Sequence, residues 1–221
     1  MTAVTSVDVV IDSVKTPRST YRQEQADATR VRIADAAQRL FARDGYSATA
    51  MEGIAREAGV GTRTVYAVFG AKREILSVIC ERWLERAGAR ELAREVLDTV
   101  DPVERLRRSA GWLTTLYSTD FDVARVLDAA VDEDAETREL LAAKLRGRNR
   151  VMDQMISSVE PELSVPLAEA QSMFRAFAAV GVYGALVVDA GWTPARFESW
   201  LADALVHQLM SASAVPDPAH P

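Results

Sequence analysis

Apolar residues recur with a period near 3.6 residues almost everywhere between residues 25 and 210, and no stretch shows the sustained alternation of a β-strand. This period is typical of amphipathic helices, so the fold class is predicted to be all-α. In the first helix the apolar stripe consists of Ile33, Ala37, Leu40 and Phe41. The predicted helices cover about 27–44, 49–58, 62–69, 72–97, a segment that begins at 102, 121–131, 136–159, 166–190 and 194–210.

The two ends of the chain lack this period. Residues 1–24 contain Pro17 and a cluster of Ser and Thr, and they are predicted to form a flexible arm. Residues 211–221 contain three prolines and are predicted to form a disordered tail.

Charge is unevenly distributed along the chain, whose formal net charge is −6. Residues 1–80 hold 11 Lys and Arg against 9 Asp and Glu, whereas residues 81–221 hold 15 against 23. Attraction to phosphate needs a basic surface rather than a basic protein. The uneven charge therefore permits DNA binding by the N-terminal third and is not by itself proof of it.

Cysteine and histidine are too scarce to support metal or redox chemistry. Cys80 is the only cysteine and falls on the apolar side of a helix, and His207 and His220 have no cysteine beside them. No Gly-x-Ser-x-Gly, phosphate loop or dinucleotide glycine fingerprint appears. An enzyme is the main alternative class, and these absences disfavour it. No metal and no cofactor are predicted.

No membrane segment is expected from the apolar runs. The longest run, 176–188, is shorter than the roughly 18 residues that a membrane helix needs. The apolar patch 7–14 is interrupted by Asp8 and Asp12 and follows no basic region, so it does not have the pattern of a signal peptide. A cytoplasmic protein is expected.

The stretch 49–75 has the pattern of two short helices joined by a tight turn at Gly59. Thr49 is predicted to cap the first helix, with Glu52 completing a capping box. A helix that docks in the major groove must bury one face and present polar side chains on the other. In the second helix Val65, Val68 and Phe69 form the inner face. The outer face consists of Thr62, Arg63, Thr64 and Tyr66.

This stretch resembles the DNA-binding domain of the tetracycline-repressor (TetR) family. The matching positions run in order and without a gap across 29–76, and the remainder resembles the family in architecture only. They are Gly45-Tyr46, Thr49, Ile54-Ala55, Ala58-Gly59-Val60, Val65-Tyr66, Phe69 and Lys72. The resemblance implies a helix-turn-helix domain over 25–71 and a helical ligand-binding and dimerisation domain over 72–210.

The resemblance also implies individual roles on double-stranded DNA. Thr49, Tyr66 and Lys72 would contact backbone phosphates, and Thr62, Arg63 and Thr64 would face the bases. Arg63 is the candidate for reading guanine, because its planar fork reaches O6 and N7 together. The alternatives are that Arg63 contacts phosphate only and that Tyr66 packs beneath the first helix. Two positions depart from the family pattern: Gly61 replaces a serine-like cap, and Val68 replaces a histidine or tyrosine.

The last two helices are apolar on more than one side, so more than one neighbour must cover them. A two-fold homodimer is predicted there, and the family resemblance implies the same; the alternative is a monomer whose own helices cover both faces. The candidate interface residues are Ala178, Gly181, Ala185, Val188, Phe197, Trp200 and Ala204. Two recognition helices held together in this way are expected to bind an inverted-repeat operator.

The resemblance further implies a pocket for a small-molecule effector between the middle helices. Its candidates are Trp83, Trp112, Leu116, Tyr117, Phe121, Leu127, Asn149, Met152, Met155, Phe174, Phe177 and Tyr183. Asn149 stands out because it interrupts an apolar stripe and needs a hydrogen-bonding partner, which is a ligand, a side chain or water. The expected function is a repressor released by a lipophilic effector. An activator of the same fold and a helical carrier of lipophilic molecules are the alternatives.

Overall fold

The computed structural model describes residues 17–132 and 134–210, and the regular elements of these two stretches are all helices. They are α1 (Pro17–Asp44), α2 (Met51–Ala58), α3 (Thr62–Phe69), α4 (Lys72–Arg86), α5 (Ala89–Asp98), α6 (Pro102–Thr119), α7 (Phe121–Ala129), α8 (Ala135–Ser157), α9 (Leu167–Phe177), α10 (Val180–Tyr183) and α11 (Pro194–Leu209). The predicted all-α class is confirmed. The predicted tail 211–221 and the first sixteen residues of the predicted arm lie outside the described residues.

The first three helices form a small bundle in which α1 packs on α2 and α2 packs on α3. The predicted α1 stripe is buried, and Ile54 of α2 and Val65 of α3 are completely inaccessible. Gly59 makes the turn between α2 and α3 with a φ of +66°, a left-handed conformation that glycine adopts without steric cost. Two short helices joined by a tight turn in this way have the arrangement of a helix-turn-helix.

Helix α1 begins at Pro17, ten residues before its predicted start. The prediction of a flexible arm reaching residue 24 is wrong over 17–24. The side chains of residues 21–24 are exposed, so this part of the helix shows no apolar period, but Arg, Gln and Glu favour a helix intrinsically and proline suits its first turn. A period detects only the part of a helix that is buried.

The predicted helix 72–97 is two helices. Gly88, with a φ of +58°, separates α4 from α5. Buried residues continue on both sides of the break, with Trp83 in α4 and Val96 in α5. The apolar pattern of the sequence therefore does not indicate the turn.

The predicted helix 166–190 is also broken, at Ala178 and Ala179, where the backbone turns to an extended conformation. The hydroxyl of Tyr117 on α6 donates to the carbonyl of Ala178 at 2.5 Å and so satisfies a group that the break exposes. A π-helical turn, Gly184–Asp189, follows α10.

The broken pair is also the one feature of the described residues that reaches the length and apolar composition of a membrane span. It combines α9 with the stretch 180–189 at an angle of 49°. No single helix in the described stretches is long and apolar enough to cross a membrane.

Helix α6 forms the centre of the C-terminal core, and α11 packs along it. Leu106, Leu113 and Leu116 of α6 are fully buried. The indole of Trp83 donates to the carbonyl of Leu116 at 2.8 Å, and the indole of Trp112 donates to Ala89 at 2.9 Å. The polar atoms of both large rings are thus satisfied inside the core, and they fix α4 and α5 against α6.

Several helices start at a side-chain cap. The caps are Asp101 for α6, Asp120 for α7, Asp134 for α8 and Thr193 for α11. The cap predicted at Thr49 is wrong, because α2 begins two residues later and its cap position is Ala50. The Thr49 hydroxyl instead donates to the carbonyl of Gly45 at 2.8 Å, within the loop that precedes α2.

We predict that Asp101→Ala destabilises the protein by about 1 kcal/mol, because the carboxylate accepts the backbone N–H of Glu104 at 2.6 Å at the start of the central helix. Asp101→Asn should keep most of the stability, since asparagine caps as well. Urea unfolding followed by circular dichroism measures both. A transition for Asp101→Ala at the wild-type midpoint would show that the cap contributes nothing.

Candidate DNA-binding interface and effector cavity

The outer face of α3 is polar and accessible. Arg63 and Thr64 are exposed, Thr62 is half-buried, and Tyr66 is 48% exposed. Within the described residues Arg63 takes part in no ion pair. Because half of Tyr66 faces solvent, the alternative that it packs beneath the first helix does not hold. The face is therefore available to a ligand outside the protein.

The inner face of α3 is fixed to the rest of the bundle. Val65 is completely buried and Phe69 nearly so, while Val68 is half-buried. Arg30 of α1 donates to the carbonyl of Val68 at 3.2 Å and stacks on the ring of Phe69, with 4.6 Å between guanidinium and centroid. This packing and bonding hold α3 with its polar face outward. As expected, Gly61 stands at the start of α3 without a side-chain cap.

Lys72 and Thr49, two of the residues that the family resemblance assigns to phosphate, hold the loop between α1 and α2. The Lys72 ammonium donates to the carbonyls of Tyr46 at 2.6 Å and Thr49 at 3.1 Å, and it lies 4.2 Å from the centroid of the Tyr46 ring. Thr49 is only 5% exposed. Both side chains act within the protein here, so a phosphate contact from either would require it to leave an acceptor.

Two polar contacts join this bundle to the start of α8. The hydroxyls of Tyr46 and Thr137 lie 3.5 Å apart, and Arg73 at the start of α4 pairs with Glu136 at 2.5 Å. A second junction lies at Asp120, the cap of α7. Asp120 accepts from Gln38 of α1 at 2.7 Å and from Arg86 of α4 at 2.8 Å.

A cavity of about 310 Å³ lies in the C-terminal core between α4, α6, α7, α8 and the break after α9. Its walls are mostly apolar, and its charged lining residues come chiefly from α8 and α9. The lining residues are Cys80, Trp83, Leu84, Tyr117, Ala124, Leu127, Asp128, Val131, Leu141, Lys144, Leu145, Arg148, Arg175, Ala179, Val180 and Gly181. This volume is at the lower end of the roughly 300–1,000 Å³ typical of small-molecule sites.

Two of the cations that line the cavity are paired. Lys144 pairs with Glu81 of α4 at 2.6 Å, and Arg175 pairs with Asp153 at 2.5 Å. Arg148 differs: one of its Nη atoms donates to the Tyr117 hydroxyl at 3.3 Å, and its Nε is buried without an acceptor. An unmet donor of this kind costs about 1–3 kcal/mol.

Burial raises the pKa of two uncharged polar side chains in the cavity wall, Tyr117 and Cys80. Desolvation raises the pKa of the Tyr117 phenol above its usual value, with Asp128 adding to the effect and Arg148 opposing it. The phenol therefore remains a donor to Ala178. Desolvation also raises the pKa of the Cys80 thiol, against a smaller lowering by Lys144. Cys80 is thus a neutral wall residue, not an activated nucleophile.

Of the twelve predicted pocket residues, the structure places Trp83, Tyr117 and Leu127 on the cavity. Phe121 packs edge-on and Tyr183 packs at a tilt against the ring of Tyr117, with centroid distances of 5.9 and 5.1 Å, and neither lines the cavity. The others that do not line this cavity are Trp112, Leu116, Met152, Met155, Phe174 and Phe177, together with Asn149. The first five of these are core residues, and Phe177 packs on Trp200.

The predicted pocket residue Asn149 does not line the cavity, whereas its neighbour on α8, Arg148, does. The cavity face of this helix carries Leu141, Lys144 and Arg148, at the spacing of a helical stripe. Asn149 instead lines a surface groove with Arg146, and its Oδ1 has no partner. The signal that was missed is a charge inside an apolar stripe, where an arginine is rarely placed without a partner.

Two of the predicted interface residues are unavailable to a second chain. Ala178 and Phe197 are completely buried inside the protomer, because the aromatic packing around Tyr183 and the break after α9 cover them. The remaining five are each open or partly open to solvent, and we call them together the C-terminal patch. Its members are Gly181, Ala185, Val188, Trp200 and Ala204.

The described residues contain no group of His, Cys, Asp and Glu side chains arranged to hold a metal ion.

The N-terminal helices are similar to a domain of known bacterial regulatory proteins. Residues 33–79 match the model of bacterial regulatory proteins of the tetR family. The uncharacterized HTH-type transcriptional regulator Rv1255c of Mycobacterium tuberculosis is 30% identical over 121 residues, which are 55% of this chain and 56% of that protein. The chain thus matches about half the length of this curated relative, which is named as a regulator and not as an enzyme.

Solved structures share the whole fold. The regulator FadR from Bacillus subtilis, in complex with stearoyl-CoA, superposes with a TM-score of 0.65 at 20% identity over 80% of this chain and 97% of FadR. NalD, the secondary repressor of the MexAB-OprM efflux pump in Pseudomonas aeruginosa, gives a TM-score of 0.67 at 21% identity over 86% of this chain and 99% of NalD. The protein has a helix-turn-helix domain joined to a helical second domain. Its N-terminal helix-turn-helix domain is similar to that of bacterial regulatory proteins of the tetR family.

We predict that Lys72→Met destabilises the protein by about 1.5–3 kcal/mol, because a charged donor to buried carbonyls is lost. Arg56→Met is the matched control, since Arg56 is exposed on α2 and forms no ion pair among the described residues. Urea unfolding measures both variants. Equal stability of the two would contradict the anchoring role of Lys72.

Proposed function

We propose that the protein is a ligand-responsive transcriptional regulator that binds an inverted-repeat operator as a homodimer and is released by a small lipophilic effector. The observation that carries this proposal is the outward polar face of α3, held on a buried inner face in a TetR-type domain. Repression is the first candidate mode, and NalD is a repressor with the same fold. An activator is the alternative within this class, and the position of the operator relative to the promoter decides between them.

DNA reading is assigned to α3. Thr62, Arg63 and Thr64 would face the bases, and Tyr66 would contact the phosphate backbone. Arg63 is exposed, unpaired within the described residues and able to offer two parallel donors to guanine. A helix of this kind lies in the major groove with its N-terminal residues at the base edges, which is where these three side chains stand.

We predict that Arg63→Ala weakens binding to a genomic fragment selected by the protein by about 1–3 kcal/mol, or roughly 5- to 150-fold. Fluorescence anisotropy measures the affinity. Arg94→Ala is the control, because it removes the same charge from an exposed position on α5 outside the three-helix bundle. Equal losses of DNA affinity in the two variants would show that Arg63 acts only through general charge attraction. A loss for Arg63→Ala that is the same on all fragments would assign Arg63 to phosphate.

The homodimer is proposed to form through the C-terminal patch. Val188 is a large apolar side chain that is 60% exposed, and Gly181 and Ala185, which precede it in the chain, are exposed and small enough to let a second helix approach. Trp200 lies beside them in a cluster with Phe177 and Trp192. Two-fold pairing would place two recognition helices for successive major grooves, about 34–36 Å apart.

We predict that Val188→Asp makes the protein monomeric, because each subunit would bury an unpaired carboxylate in the interface. Light scattering after size exclusion measures the mass. Val100→Asp is the matched control, since Val100 is 90% exposed in the connection between α5 and α6, away from the patch. A dimer that survives Val188→Asp unchanged would place the interface elsewhere.

The effector is proposed to act from the cavity on the helix-turn-helix through two helices. Helix α4 contributes Cys80 and Trp83 to the cavity and Lys72 to the loop before α2. Helix α8 contributes Lys144 and Arg148 to the cavity, and its first turn touches the bundle through Tyr46 and Arg73. A shift of either helix would change the separation of the two recognition helices and weaken operator binding. Coupling of this type is typically worth 1–3 kcal/mol.

A carrier of lipophilic molecules is the alternative from another class. The stearoyl-CoA in the FadR structure indicates that this fold can hold a lipophilic ligand. The exposed polar face of α3 favours the regulator, since carrying a lipophilic molecule does not require a polar helix face directed to solvent. The Arg63→Ala variant separates them, because it should leave the affinity for a ligand intact.

A further inference from the structure

One cationic side chain in the cavity wall has no carboxylate to balance it. Among the ion pairs of the described residues none includes Arg148. Its one hydrogen bond is the long contact of 3.3 Å to the Tyr117 hydroxyl, and its Nε is buried without an acceptor. A guanidinium has five N–H donors, and most of them are unused here.

The other charged groups of the cavity do not compensate Arg148. Lys144 and Arg175 are neutralised by Glu81 and Asp153. Asp128 is the only carboxylate among the lining residues; it is exposed to solvent and forms no ion pair with any described residue. Solvent screens an exposed charge more than a half-buried one. The uncompensated charge inside the cavity is therefore positive.

We propose that the effector is an anionic amphipath, with a carboxylate or equivalent anionic head group held by Arg148 and an apolar body packed against Trp83, Leu127 and Leu141. This inference rests on the proposed ligand response and adds the chemical class of the ligand. The planar fork of arginine matches a carboxylate with two parallel hydrogen bonds, which neither an alcohol nor an amine can accept in the same way.

The position of Arg148 gives such a head group a defined surrounding. The Tyr117 hydroxyl lies beside the guanidinium, and Lys144 projects from the same face of α8 one turn earlier. An anion at Arg148 would compete with Glu81 for Lys144, which currently ties α8 to α4 at 2.6 Å. Both helices also contact the DNA-binding bundle, so the head group would sit between the two helices that the proposed mechanism needs to move.

Titration calorimetry of the full chain without DNA tests the head group. The probes are octanoate with 1-octanol and octylamine, and 2-naphthoate with 2-naphthalenemethanol, so that each carboxylate is compared with a neutral analogue of the same body. We expect at least one carboxylate to bind about tenfold or more tightly than its alcohol, as for a hydrogen bond to a charged group. Octylamine should bind least.

A pair of variants on α8 tests the residue. Arg148→Gln should remove the preference for the carboxylate and leave the affinity for the alcohol unchanged. Arg146→Gln is the matched control, because Arg146 is exposed two residues earlier and lines the groove outside the cavity. Thermal melting shows whether each variant folds. If Arg148→Gln does not fold, the affinities of the wild-type protein for carboxylate, alcohol and amine still test whether the cavity prefers an anionic head group.

Three outcomes would overturn the inference. They are equal affinities for carboxylate and alcohol, tightest binding of octylamine (which would assign the head group to Asp128), and no binding of either carboxylate at millimolar concentration. The proposed function fails separately. A carboxylate that binds through Arg148 but leaves operator affinity unchanged in the anisotropy assay supports the inferred ligand class and removes the inducer role.

Discussion

Helix α4 is anchored at both ends, and the relation between the two halves of the protein depends on these anchors. At its first residue the Lys72 ammonium is bound by carbonyls of the loop before α2, and near its end the Trp83 indole is bound by the carbonyl of Leu116. Its 15 residues span about 22 Å. A rigid rod of this length, fixed to the DNA-binding bundle at one end and to the central core helix at the other, transmits displacement better than a flexible linker. It also forms one wall of the cavity.

The sequence predicted those parts of the fold in which burial produces a period. The stripe of α1, the short α3 and the start of α6 at residue 102 were predicted because the signals for them are local in the sequence. The start of α1 was missed because the side chains of residues 21–24 are exposed. The breaks at Gly88 and Ala178 were missed for the opposite reason, since apolar residues continue across both. A period reports which face is covered and does not report whether the helix axis is continuous.

The candidate sites also contain residues that a local pattern predicts and residues that only the folded structure brings together. The outward side chains of α3 follow from a short helix with one apolar face, so they could be assigned without coordinates. The acceptors of Lys72 lie more than twenty residues earlier in the chain, and no local pattern indicates them. For the cavity, aromatic and methionine content was the wrong guide, because most large apolar side chains fill the core. Arg148 was the better signal: a charge within an apolar stripe requires either a partner or a ligand.

The π-helical turn Gly184–Asp189 has a consequence for how the protein can diverge. A π turn holds one residue more than an α turn requires. It is therefore a site where the chain can change length by one residue without unfolding its neighbours. Because each residue advances a helix by about 100°, such a change would turn Val188 to a new azimuth. Related proteins that differ by one residue here would present the C-terminal patch in a different orientation, while the cavity and α3 keep their own geometry.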